Sequence, residues 1–164
     1  MKYTKFITIF LMFFFFSYQK AYSQDWFGKI IPLQTTKEDV EKIIPISPSE
    51  KSKSGNTYTY FLKDWTVIID FSPGRCVSEK YEKWNIEEGV VMNVFYTATN
   101  NPEEWVKLSV IEKNMSGFKK EKRSEHTYYT DLERGIIYTT HAGRVRSFTY
   151  FIPPNKQDYL RCKS

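Results

Sequence analysis

Thr57-Tyr58-Thr59-Tyr60-Phe61-Leu62-Lys63-Asp64-Trp65-Thr66-Val67-Ile68-Ile69-Asp70-Phe71 is the stretch on which the fold turns. Two alternating runs flank Lys63-Asp64, a two-residue turn, so the stretch reads as a β-hairpin. Folding back at that turn sets Leu62 opposite Trp65, Tyr60 opposite Val67 and Tyr58 opposite Ile69. One face of the pair is then wholly apolar or aromatic and the other mixed. An antiparallel sheet covered on one side has this pattern.

Upstream, Thr35-Thr36-Lys37-Glu38 places a Thr three residues before a Glu, a capping box that opens a helix. Val40, Ile43 and Ile44 share one face of that helix, and Pro45 ends it after about two turns. A helix this short is stable only when its apolar face packs on something. An apolar lead-in over 25–33 precedes it, and the Ser/Lys-rich stretch 47–55 reads as a loop.

Downstream, Ser72-Pro73-Gly74 breaks the second strand, and a polar stretch with Tyr81 and Trp84 follows. Residues 90–97 form a third strand. Asn100-Asn101-Pro102 is a strong turn. Residues 105–115 are apolar without a clean period, so helix and strand both stay open. Residues 119–123 form a basic cluster that reads as a solvated loop. Strands over 125–131, 135–141 and 144–152 come next, turning at Glu133-Arg134 and Ala142-Gly143. The expected fold is α+β: an antiparallel sheet of about six strands with a short N-terminal helix on one face. Each half carries a leading segment, a tight aromatic hairpin and an Arg-Cys pair (Arg75-Cys76, Arg161-Cys162). A single domain over 24–164, with 24–99 and 100–164 as halves of a pseudo-repeat, accommodates both features.

The first 23 residues read as an address. Lys2 and Lys5 precede an apolar run from Phe6 to Phe16 broken only by Thr8, and Ala21-Tyr22-Ser23 closes the segment with small residues at −3 and −1. This is the pattern of a secretory signal peptide, with a retained anchor as the alternative. The apolar run is shorter than the ~20 residues that span a bilayer. No cysteine lies near the cleavage point to accept a lipid, and no other stretch is apolar enough to span. The segment carries three lysines and no acid, so cleavage takes the formal charge from +5 to +2. That residual charge gives no reason to expect nucleic acid or an anionic membrane as a partner.

Cys76 and Cys162 are the only cysteines. In an exported chain an even number reads first as a disulfide. Closing a loop of this length stabilises a fold by about 4–5 kcal/mol in the chain-entropy account. Two free thiols or a catalytic thiolate are the alternatives, but neither cysteine has a base beside it in sequence.

His126 and His141, the only histidines, fall opposite each other if the hairpin turns at Glu133-Arg134. Two such imidazoles can hold a metal. Arg144 and Arg146 flank them, however, and no third ligand is evident, so a surface pair is the competing reading. Tyr128, Tyr129, Tyr138 and Tyr150 crowd the last strands, with Phe148 and Phe151. They suit either a stacking surface for a partner or cross-strand packing. The acid pairs Glu87-Glu88 and Glu103-Glu104 point to opposite faces of any strand and read as solvated charge. Trp26 either steadies the lead-in or offers an exposed ring. There is no phosphate loop, His-Glu-x-x-His helix or nucleophile elbow, and no cofactor is expected.

The run from Gly28 through Thr35-Thr36-Lys37-Glu38-Asp39-Val40 to Lys42, with Cys76, Trp84-Asn85-Ile86, Gly135-Ile136-Ile137-Tyr138 and Asp158-Tyr159-Leu160-Arg161-Cys162, resembles a group of small exported bacterial proteins. More remotely, Thr36-Lys37-Glu38-Asp39-Val40 resembles the helix start of SmpA/BamE-type envelope lipoproteins and of β-lactamase-inhibitor-like domains. The resemblance implies short helices on an antiparallel sheet and a role in protein binding. From the export pattern, the sheet-rich core and the lack of a catalytic constellation, the expectation is a secreted or periplasmic domain closed by a Cys76–Cys162 disulfide, non-enzymatic, with a binding or envelope-structural role and a protein or envelope component as partner. A cell-envelope hydrolase or metal-dependent enzyme using His126 and His141, and an inhibitor of another secreted protein, are the alternatives.

Overall fold

A computed structural model describes residues 28–77, 83–99, 101, 103 and 105–162. The leader over 1–23, Trp26, Tyr81 and Glu104 lie outside the described residues. The chain forms one antiparallel sheet. Its strands are β1 (Glu50–Lys51), β2 (Thr57–Phe61), β3 (Trp65–Phe71), β4 (Val91–Ala98), β5 (Lys119–Arg123), β6 (His126–Asp131), β7 (Ile136–His141) and β8 (Arg144–Phe151). Among the described residues the helices are α1 (Lys37–Ile43), α2 (Leu108–Ile111) and α3 (Pro154–Leu160), with a 3₁₀ turn over Glu112–Asn114.

The hairpin forms in the expected register, with Tyr58 opposite Ile69 and Tyr60 opposite Val67. Trp65, Val67, Ile69 and Phe71 are all buried, and the residues between them are half-exposed. The helix starts one residue later than its sequence suggests. Thr36, not Thr35, is the N-cap, and Asp39 closes the capping box. Thr35 is buried instead, where its hydroxyl accepts from the Ile31 amide at 2.8 Å. Val40 and Ile44 drop into the core beneath the hairpin.

The sheet has eight strands, not about six. The two additions are its edges, β1 and β5, which the sequence presents as loops. Every residue of both is exposed. An edge exposed on both faces has no burial alternation, and its lysines discourage pairing with another chain, so hydrophobic pattern cannot reveal it. The open stretch at 105–115 becomes α2 and the 3₁₀ turn, and the C-terminal tail becomes α3.

The strand order β1-β2-β3-β4-β8-β7-β6-β5 is two four-stranded meanders joined where β4 meets β8. The correspondence extends to atoms. The α1 amide of Lys37 donates to Gly89 O at 2.9 Å, and that of Leu108 in α2 to Gly143 O at 3.0 Å. Both glycines have positive φ, 76° and 72°. Each begins a similar run: Gly89-Val90-Val91-Met92-Asn93-Val94-Phe95-Tyr96 and Gly143-Arg144-Val145-Arg146-Ser147-Phe148-Thr149-Tyr150. A bulge falls at the same point in each, leaving Met92 unpaired between Val91 and Asn93, and Arg146 between Val145 and Ser147. At the edges, Lys51 lies 4.8 Å from the Tyr58 ring and Lys120 lies 5.5 Å from the Tyr129 ring. The Arg-Cys pairs do not share this correspondence: Cys76 follows β3, whereas Cys162 follows α3.

Cys76 and Cys162 are joined by a disulfide. Around it Cys162 N donates to Lys83 O, Cys76 N to Trp84 O and Asn85 N to Leu160 O. Arg161 lies 5.9 Å from the Trp84 ring. The cross-link therefore ties α3 to the β3–β4 connection. At the β7 start, a Cβ on Gly135 would lie 2.1 Å from Phe151 O, and its φ is 70°. Only glycine lets the β6–β7 turn approach β8 that closely.

Candidate functional site

The two sheet faces differ. Helices α1 and α2 and the segment before α2 contribute Val40, Ile44, Val106 and Ile111 to one face, against Tyr60, Val67, Tyr96 and Phe148. The opposite face is read from the strand registers. One row crosses it as Thr59, Ile68, Phe95, Thr149, Ile137 and Thr130, and the next as Phe61, Thr66, Thr97, Ser147, Thr139 and Tyr128. These residues are half-exposed, and Phe61 is 55% exposed. Between the edge strands these rows carry hydroxyl, aliphatic and aromatic groups and no charge. Beside them Asp70 accepts from Thr57 at 2.9 Å and from Asn93 at 3.3 Å.

The four tyrosines separate by face. Tyr129 is buried on the helix-covered side. Tyr138 and Tyr150 pack against the same core, with their hydroxyls 3.4 Å apart. Burial, reinforced by Tyr138, pushes the Tyr150 phenol well above the ordinary tyrosine range. Phe148, stacked on Tyr96 with centroids 4.0 Å apart, belongs to that core too. Tyr128 alone of the four stands on the uncovered face, with Arg123 5.7 Å from its ring. Strand parity separates Tyr128 from Tyr129, but which parity is covered depends on where the helices dock.

His126 and His141 are directly opposite, with ring centroids 5.4 Å apart. Arg146 donates to His126 Nε2 at 2.6 Å. His141 Nδ1 donates to the Glu125 carbonyl at 3.3 Å. A metal needs an imidazole lone pair, and on His126 Nε2 it already accepts from a guanidinium. Among the described residues no group of three His, Cys, Asp or Glu is placed to hold a metal ion. Glu87 is exposed and paired with Arg75, and Glu88 is exposed. A separate crevice of about 480 Å³ lies at the β6–β7 turn, lined by Ser116, Lys119, Asp131 and Arg134. Its Asp131–Arg134 pair closes on itself, and Arg134 also donates to Ser116 O.

Family models, curated proteins and solved structures show no match to this chain. No helix among the described residues is long and apolar enough to cross a membrane.

Proposed function

We propose that this chain is an exported, disulfide-closed binding domain of the secreted or periplasmic space, presenting its uncovered sheet face to a protein partner. The observation that carries the reading is the pair of charge-free rows from Thr59 to Thr130 and from Phe61 to Tyr128. Protein interfaces are depleted of charge at their centres and enriched in aromatic residues. A broad open face also suits a macromolecule better than a small ligand, which binds in concave clefts. Export agrees with the oxidised Cys76–Cys162 pair, since disulfides persist mainly outside the cytosol.

The test is differential cross-linking in the native envelope and culture fluid. Thr97→Lys with Thr149→Lys puts two charges at the centre of the face and leaves the core alone. A cross-linked protein partner seen with the parent and lost with the folded double variant is the expected result. Equal capture by both, or hydrolysis of a substrate panel abolished by one side-chain change, overturns the reading. Mass spectrometry of the native protein checks export through an N-terminus at Gln24.

A further inference from the structure

We infer that Arg146, His126 and His141 form a binding site for a doubly charged oxyanion, the sulfate or phosphate-ester class. The inference rests on this cluster alone, not on what covers the sheet face.

One row across four strands reads Arg123, His126, His141 and Arg144, with Arg146 in the β8 bulge beside it. Arg144 is engaged: its guanidinium donates to the carbonyls of Glu103 and Trp105, both at 3.0 Å. Arg123 pairs with Glu121 at 2.8 Å, which holds that carboxyl below the usual range. Arg146 is exposed, and no carboxylate among the described residues pairs with it; its hydrogen bond goes to an imidazole. The other charged residues here are Lys107, whose backbone forms an isolated β-bridge with that of Arg144, and Glu125, whose carbonyl accepts from His141. Trp105, itself packed against the core, lies 6.5 Å from the His141 ring.

The fold does not demand this charge. Counting on from the last paired residues of the first meander, Gly55, Ser72 and Met92 fall at the positions that correspond to His126, His141 and Arg146. Ser72 is fully buried and bonded to Ile86 O. The β3–β4 connection buries that first corner, whereas the tight Ala142-Gly143 turn leaves the second one open, and it is the open corner that carries the cations.

Arg146 and His126 Nε2 are 2.6 Å apart. Neutral imidazole accepts the guanidinium proton. Protonated imidazole cannot, and two cationic donors then face each other. An oxyanion between them accepts from both and relieves the repulsion. Protonation of the imidazole and anion binding therefore favour each other.

Sulfate is the probe, because it is a dianion in mild acid and in alkali alike, and imidazole NMR shifts are the readout. At fixed ionic strength, saturable shifts of both histidines are expected, with tighter binding in mild acid than at alkaline pH. Arg146→Gln is expected to weaken binding about tenfold or more while the core resonances stay in place. A methyl phosphate arm at about pH 8, where it too is a dianion, reports whether the sulfate or the phosphate-ester class binds more tightly, and saturation by either supports the site. Shifts no larger than chloride produces, or sulfate binding unchanged in Arg146→Gln, overturn it.

Discussion

Single atoms carry some of the balance of this fold. The Tyr60 ring is fully buried among Tyr58, Val67 and the helix, yet its hydroxyl has no hydrogen-bond partner among the described residues. Burial pushes that phenol up to about 12, with lesser contributions from Tyr58 and Glu41. A buried hydroxyl without a partner bears its full desolvation cost and recovers none of it. Tyr60→Phe should therefore leave the unfolding free energy unchanged or raise it by up to about 1 kcal/mol. Chemical denaturation measures this, and a loss above that size would mean the hydroxyl is satisfied. The buried Thr35 makes the opposite point: its hydroxyl accepts from Ile31 and donates toward Lys29 O, so it is a satisfied core position despite its polar side chain.

Elements depend on their ends. Helix α1 has only seven residues, too few to persist alone. Its capping box and the burial of Val40 and Ile44 hold it. Thr36→Ala should destabilise the protein by about 1 kcal/mol, read as a lower denaturation midpoint at unchanged slope. The Thr36 backbone amide and hydroxyl, then Lys42, hold the Asp39 carboxyl below its ordinary value of 3.8. A depressed folded-state pKa stabilises above the unfolded value and loses that effect as pH falls through the folded one. The carboxylate half of the cap is thus complete at neutral pH and is lost as pH falls below about 4 through the depressed folded-state value, while the Thr36 hydroxyl still accepts from the Asp39 amide. Thr36→Ala should accordingly matter less in acid than at pH 7. The edge strands follow other rules. Lys51 and Lys120 cover the Tyr58 and Tyr129 rings, closing both ends of the core with long aliphatic stems.

At the scale of the molecule, two meanders share one sheet through β4 and β8, and the disulfide secures only one end. It joins positions 86 residues apart and fastens α3, which has no buried residue of its own, to the β3–β4 connection. Reduction should lower stability by about 4–5 kcal/mol if the chain-entropy account holds. Local exchange should rise first at 83–86 and 154–162. Hydrogen exchange of oxidised and reduced protein tests both statements, and uniform loss of protection would show that the cross-link acts on the sheet as a whole.

Local pattern alone determined the central hairpin, its register, the turns at Lys63-Asp64 and Ala142-Gly143, and the opposition of His126 to His141. Alternation and turn chemistry act within a few residues, so they are written in the chain. Only the tertiary structure decided that Lys119–Arg123 is an edge strand and that Arg146 meets His126 from a bulge. It also decided that Tyr138 and Tyr150 serve the core while Tyr128 does not. Each of these follows from which face the helices cover and which strands lie outermost, and such long-range packing leaves no local period in the sequence.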